Sequence, residues 1–323
     1  QLEDFEEGPK QMSIRTKVLV TGGLGFIGSH IVDKLLENNY EVAVLDYAIN
    51  KNAPDKVKVF NVDIRDFKAV NKAIKSFGPS FVNHHAAQIS VSASIRDPEL
   101  DAAHNILGSL NVIKACVDSE VKHLIFASTG GALYGEVNQI PADETTPILP
   151  VSPYGSSKAA VETYLGFYRR VYGFKSTSLR YSNVYGPRQS PQGEAGVIAI
   201  FIAQILNDKA PVIFGAGEDT RDYVYVGDVV AANMLAMNLQ LQGSYNIGTG
   251  IETSTNSLAD LIARETDFSE AFNYASPRAG DVAKISLDAL NFSEISGWKP
   301  IVKLQEGIKL TVADFKNSFE TVQ

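Results

Sequence analysis

A single cysteine, Cys116, stands in the 323-residue chain, so no disulfide can close within it and the fold must rest on a hydrophobic core. Cys116 falls in Leu110-Asn111-Val112-Ile113-Lys114-Ala115-Cys116-Val117, a helical apolar pattern that reads as a buried structural thiol, not a nucleophile. No uninterrupted apolar run approaches the ~20 residues that span a bilayer, and no basic segment leads into an apolar one near the start. The expected address is therefore cytoplasmic, with no membrane partner. Runs rich in Lys or Arg are also missing, and the formal net charge is −8, which argues against nucleic acid as a partner. The five histidines lack metal-ligand spacing. The one adjacent pair, His84-His85, lies in a strand pattern whose neighbours point to opposite faces, so no metal site is expected.

What is present is organised around Lys17-Val18-Leu19-Val20-Thr21-Gly22-Gly23-Leu24-Gly25-Phe26-Ile27-Gly28: a short apolar strand, three glycines spaced G-x-x-G-x-x-G, and a helical pattern behind them. Glycine is needed in such a turn because positive φ and close backbone approach are cheap only without a Cβ. The amides that open the following helix then face a pyrophosphate, where the helix dipole favours negative charge. A second strand, Glu41–Asp46, ends in an acid 24 positions after Gly22. A carboxylate there accepts both hydroxyls of an adenosine ribose and repels a 2′-phosphate, which favours NAD over NADP.

Residues 1–11 are acidic and follow neither structural period; they read as a loose tail or an added prefix ahead of Met12. From Lys17, strands expected at 17–21, 41–46, 57–60, 80–84, 122–128 and 175–181 alternate with helices near 26–38, 66–77, 97–119 and 153–172. That alternation predicts an α/β fold with a parallel sheet covered on both faces. After Tyr181, dense Gly and Pro punctuation marks a smaller mixed lobe, with a return to the sheet over 222–247 and a closing helix from Leu304 to Phe319. The NAD-binding domain is placed at 12–183 plus 220–250, and the substrate lobe at 184–219 plus 251–323.

In Ser152-Pro153-Tyr154-Gly155-Ser156-Ser157-Lys158, a tyrosine and a lysine four apart share one helix face. An ammonium beside a phenol favours the phenolate, so the pair is expected to work as a base near neutrality. Ser128-Thr129, at the end of an apolar strand, offers a hydroxyl for a substrate alcohol, with the choice between the two left open.

Together these segments, with Asn61-Val62-Asp63-Ile64-Arg65-Asp66, His84-His85-Ala86-Ala87-Gln88, Ser128 to Gly135, Leu179 to Arg188 and Thr220 to Val224, resemble the extended short-chain dehydrogenase/reductases, and among them the UDP-glucose 4-epimerases. The resemblance covers residues 16–318. It implies a Rossmann-like doubly wound sheet with a smaller C-terminal lobe for the nucleotide sugar, bound NAD, and a homodimer paired through the helices near 97–119 and 153–172. Leu107, Leu110, Ile113, Val161, Leu165 and Tyr168 are expected on that pairing surface.

By position, the resemblance assigns Gly22, Gly25, Phe26, Ile27 and Gly28 to the pyrophosphate, Asp46 and Asn50 to the ribose, and Asp63 and Ile64 to the adenine. Ala86, Ala87, Gln88, Asn105, Tyr181 and Lys158 would follow along the rest of the cofactor. Asn183, Arg221, Arg278 and Asp281 would meet the substrate diphosphate, and Val197, Ile198 and Phe214 the uracil. Tyr154 would act at the 4′-hydroxyl, helped by Thr129 and Ser128, while hydride passes to NAD and back through a 4-keto sugar. Relatives that dehydrate the sugar carry an Asp-Glu pair where Gly130-Gly131 stand here, so elimination is not expected. Ile285 falls where some members carry a bulky tyrosine that narrows the sugar pocket; the smaller residue here would admit N-acetylated sugars. Other sugar-nucleotide enzymes, such as a uronate epimerase or a decarboxylase, are the enzymatic alternatives, and a non-catalytic NAD-binding scaffold is the alternative outside catalysis.

Overall fold

Strand β1 (Lys17–Thr21) shows why the sheet is doubly covered: Val18 and Val20 enter one core, Leu19 enters another, and none is exposed. Successive side chains of a strand point to opposite faces, so a strand apolar throughout must be buried on both. The computed structural model describes residues 15–47, 53–192, 196–277 and 282–320, which leaves the 1–11 tail outside.

Helix α1 (Phe26–Glu37) lays Ile31, Val32 and Leu35 on one face of the sheet. Strands β2 (Glu41–Asp46) and β3 (Lys58–Asn61) follow, then α2 (Phe67–Phe77). The Asp66 carboxylate caps α2 by accepting from the Ala69 N–H at 3.1 Å, and Gly78, at φ 67°, ends it. Next come β4 (Phe81–His84), α3 (Val91–Arg96), α4 (Pro98–Ala102), a π-turn at Ala103–Leu107, α5 (Gly108–Asp118) and β5 (His123–Thr129). Helix α6 (Pro153–Tyr172) is bounded as its sequence dictates: Ser152 accepts from the Gly155 N–H, Pro153 takes the first turn, and Gly173 closes it in the left-handed region. Strand β6 (Ser176–Tyr181) completes this half.

The remainder runs β7 (Asn183–Tyr185), α7 (Val197–Leu206), β8 (Val212–Phe214), β9 (Thr220–Arg221), β10 (Tyr223–Tyr225), α8 (Val226–Leu239), β11 (Gly243–Ile247), β12 (Thr253–Ser254), α9 (Thr255–Thr266), β13 (Asn273–Ala275), α10 (Leu290–Ser296) and α11 (Leu304–Glu320). Seven strands form one sheet in the order β11-β6-β5-β4-β1-β2-β3, all parallel. The strand order reverses between β1 and β4. At such a switch point the loops beyond the carboxyl ends diverge and leave a crevice.

Helices α1 and α8 cover one face, and α2, α5 and α6 the other. Helices α7, α9 and α11 build a third core around Ile202, Leu258, Ile262 and Ile308. Helix α10 instead carries Phe292 and the following Trp298 back onto the first core, where the Trp298 indole N–H donates to the Asp228 carbonyl at 2.9 Å.

The expected strands stand within a residue of the observed ones. The helix expected over 97–119 is interrupted by the π-turn, and α7 and α9 lie in the mixed lobe, where the sequence assigned no individual helix. Cys116 is buried, and burial pushes its thiol pKa up, as a structural role requires. Ile113, Val161 and Leu165, expected on a pairing surface, are buried in the second core instead. The exposed apolar face of this region belongs to Leu107, Tyr164, Phe167 and Val171. No described helix is long and apolar enough to cross a membrane.

Candidate active site

The glycine loop between β1 and α1 is shaped by contacts that only glycine allows. Gly22 has φ +66°, and a Cβ there would stand 2.7 Å from the Ala86 nitrogen; one on Gly28 would stand 2.2 Å from the Gly22 carbonyl oxygen. Gly25 precedes α1, and no side chain caps that helix end. Thr21 fixes the loop against β4: its hydroxyl donates to His84 Nδ1 at 2.6 Å and accepts the His85 and Ala86 N–H groups at 3.2 and 3.1 Å. His84 passes the chain on to Ser109 through Nε2, while His85 turns to the Tyr181 hydroxyl. The two imidazoles point apart, as adjacent strand residues must.

Two cavities open at the carboxyl end of the sheet. One, of about 360 Å³, is walled by Gly22, Gly25, Gly28, Asp46, Asp63, Ile64, Ala86, Ala87 and Lys158. The other, of about 410 Å³, runs toward the third core and is walled by Thr129, Asn183, Val197, Ile198, Arg221 and Ile285. Phe26, Ile27, Ile89, Ser128, Tyr154 and Tyr181 belong to both walls. Tyr154 thus stands at the junction.

The first cavity fits a dinucleotide. It offers a side-chain-free cradle at a helix N-terminus and, at the far end, the Asp46 carboxylate, which accepts the Leu24 N–H at 3.1 Å and so is held in place. Residues 18–248 match the family described as NAD dependent epimerase/dehydratase. The chain belongs to this family. It is 47% identical to a Thermus thermophilus UDP-glucose 4-epimerase solved in complex with NAD, with a TM-score of 0.89 over 94% of this chain and 100% of that one. It is 46% identical to a Thermotoga maritima UDP-glucose 4-epimerase solved with UDP-glucose, with a TM-score of 0.91 and the same coverage. A UDP-N-acetylglucosamine 4-epimerase from Methanobrevibacter ruminantium, solved with UDP-N-acetylmuramic acid, is 36% identical, with a TM-score of 0.89 over 94% of this chain and 99% of its own.

In this member of the family the tyrosine–lysine pair departs from the sequence expectation. The Lys158 ammonium lies 5.8 Å from the Tyr154 ring centre and donates to the Ala127 carbonyl at 2.8 Å. Burial, then the negative charge of Asp101, pushes the Tyr154 phenol up, and burial brings Lys158 down to about 8. Spacing on a helix shows that two groups share a face; it does not show that the site is dry, and a dry site disfavours charge on both. The Tyr154 hydroxyl makes no hydrogen bond to another described residue, so it is presented to the cavities.

Ser128 and Thr129 are distinguished by their partners. The Ser128 hydroxyl donates to Glu162 Oε1 at 2.6 Å; Glu162 in turn pairs with Arg180 at 2.6 Å, both side chains 7% exposed. Thr129 faces the larger cavity, and its oxygen accepts the Ala132 N–H at 3.3 Å.

Three expected site residues line neither of these two cavities. Gln88 turns inward, its amide donating to Asp101 and to the Ser90 carbonyl, and Asn105 is buried beneath it, exchanging hydrogen bonds with the Gln88 backbone. Both brace the loop after β4 and line neither cavity. Phe214 ends β8, which pairs with β13, and also lines neither. Asn50, Arg278 and Asp281 lie outside the described residues. Conversely, Glu162 and Asp101 were not singled out in the sequence, and His85 was weighed there only as a metal ligand. Asp101, in Pro98-Glu99-Leu100-Asp101, has the look of an ordinary acidic first turn, which carries no signal of burial.

Proposed function

We propose that this chain interconverts UDP-galactose and UDP-glucose by NAD-dependent epimerisation at C4, through a transient 4-keto sugar. The carrying observation is that Tyr154 belongs to the walls of both cavities, with its hydroxyl unclaimed by any other described residue. The family membership and the two relatives solved with NAD and with UDP-glucose support the same reading. NAD, when bound, supplies the acceptor and donor of the C4 hydride, and its oxidised ring adds a positive charge to the pocket.

Tyr154, as the phenolate, would take the proton of the sugar's 4-hydroxyl while C4 gives up its hydride, and as the phenol would return that proton to the same oxygen when hydride comes back to the opposite face. A pushed-up phenol is mostly protonated at neutral pH, so forming its phenolate relies on the nearby Lys158 ammonium, which counts for more in this buried setting than in water. Thr129 orients the reacting oxygen. Ser128, whose hydroxyl donates its hydrogen bond to Glu162, offers the cavity only a lone pair. Asn183 and Arg221 meet the diphosphate, for which a guanidinium fork is suited, and Val197 with Ile198 flanks the uracil. Elimination is disfavoured by Gly130 and Gly131, which carry no acid or base. A Cβ on Gly130 would also stand 2.4 Å from Leu287.

The 12–183 plus 220–250 segment serves NAD and the remainder serves the sugar nucleotide. Ile285 in the wall of the larger cavity favours a second reading, in which an N-acetylated UDP-hexose is also a substrate. The exposed face of Leu107, Tyr164, Phe167 and Val171 supports a homodimer; a cytoplasmic address is part of the same proposal. Incubating the protein with UDP-galactose and separating the products tests the function: UDP-glucose is expected, and its absence with NAD bound refutes it. UDP-N-acetylglucosamine in parallel decides the second reading, and light scattering the dimer.

A further inference from the structure

Asp101, on α4, is 1% exposed and sits between two parts of the site. Its carboxylate accepts from Gln88 Nε2 at 2.8 Å, Asn105 Nδ2 at 2.9 Å and Ser157 Oγ at 2.6 Å. Gln88 and Asn105 hold the loop after β4, which walls the cofactor side. Ser157 is the residue before Lys158 on α6. We infer that Asp101 is a positioning residue of the reaction: its buried carboxylate, clamped between that loop and the helix carrying Tyr154 and Lys158, sets the pH range in which the pair works.

The geometry gives Asp101 two effects of one sign. A negative charge without water around it acts on every titratable group nearby, and it favours the protonated form of each. Burial lowers Lys158 to about 8, while the negative charges of Asp101 and Glu162 act in the other direction and favour the ammonium. The same charge opposes ionisation of Tyr154. Facing the pair are Asp101 from α4, Glu162 one turn along α6, His84 from β4, His85 just after it and Tyr181 from β6. Both imidazoles are held neutral, with pKa lowered to about 3 by burial and by Lys158, and the Tyr181 phenol is pushed up by burial. Asp101 and Glu162 are thus the negative charges on the pair, and Glu162 is neutralised by Arg180.

The inference rests on the epimerase reading, and Asp101→Asn on the NAD-loaded protein tests it. The amide keeps the shape: its oxygen accepts from Gln88 and Asn105, and its NH₂ donates to Ser157. Both limbs of the kcat/KM pH profile are expected to move to lower pH, by about one unit. With [ζ-¹³C]tyrosine labelling, and Tyr154 assigned by its loss in Tyr154→Phe, its resonance should shift toward the phenolate position at lower pH than in the wild type. Ser157→Ala removes a clamp but no charge, and should lower the profile with its limbs in place. Asp101→Ser, also neutral, gives the same test if the asparagine variant does not fold. A lowered profile with unmoved limbs and an unchanged Tyr154 titration would overturn the assignment. If the wild type fails to turn over UDP-galactose, the functional reading falls, and the tyrosine titration still decides the role of Asp101.

Discussion

Replacing Tyr154 by phenylalanine isolates the chemistry from the fold. The ring remains to fill its place at the junction of the cavities, and the lost hydroxyl forms no hydrogen bond to another described residue. Stability should therefore change by no more than about 0.5 kcal/mol, the range for a substitution that breaks no packing or buried bond. The rate should not be spared. A positioned acid–base group contributes about 10²–10⁴-fold, or roughly 3–5 kcal/mol of barrier, and the two other hydroxyls in both walls are engaged elsewhere, Ser128 donating to Glu162 and Tyr181 bonded to His85 and Asn233. The assay is conversion of UDP-galactose to UDP-glucose by the NAD-loaded variant, with NAD content and urea midpoint measured on the same sample. A variant that turns over within about threefold of the wild type, with cofactor and stability unchanged, would refute the assignment of the proton transfer to Tyr154.

Lys158 titrates near 8 when folded against an ordinary 10.5, so between those values the unfolded chain binds more protons and this group makes stability rise with pH; below 8 its burial costs about 3 kcal/mol. Lys158→Met should thus raise the urea midpoint at neutral pH while abolishing turnover, and its advantage over the wild type should shrink above pH 8; a constant advantage would contradict the linkage. Gly22→Ala forces a Cβ onto the Ala86 nitrogen at φ +66° and should cost on the order of 1–3 kcal/mol, with loss of bound NAD after gel filtration. Glu162→Gln leaves Arg180 buried without its partner and should cost about 3–5 kcal/mol by urea unfolding; a midpoint equal to the wild type would show the pair to be dispensable.

The first half of the fold was legible because β1 and β2 are built on unbroken apolar runs, Val18 to Val20 and Val42 to Leu45, and its helices carry their own boundaries, Asp66 and Gly78 for α2, Ser152 and Gly173 for α6. Helix α7 was hidden by the opposite property. Val197 to Leu206 is apolar almost all round, and a segment without a polar face has no period to read. Helix α9 carries both a cap at Ser254 and apolar spacing at Leu258 and Ile262, and was obscured by the punctuation around it. The π-turn at Ala103–Leu107 adds a residue to a turn and alters which side chains face inward, so the inward aim of Asn105 could not be read from helical spacing. Residue types at the site were legible, and their electrostatics were not. The phenol of Tyr154 is governed by burial and by Asp101, and both depend on how α4 packs beneath α6.

The chain's one tryptophan, Trp298, stands away from both cavities, wedged against Phe292 and tied to the start of α8. Its fluorescence is consequently a private optical channel for the seating of the C-terminal segment on the dinucleotide domain. Emission that reddens at lower urea than the loss of far-ultraviolet ellipticity would reveal that segment peeling off first, with neither label nor engineered reporter.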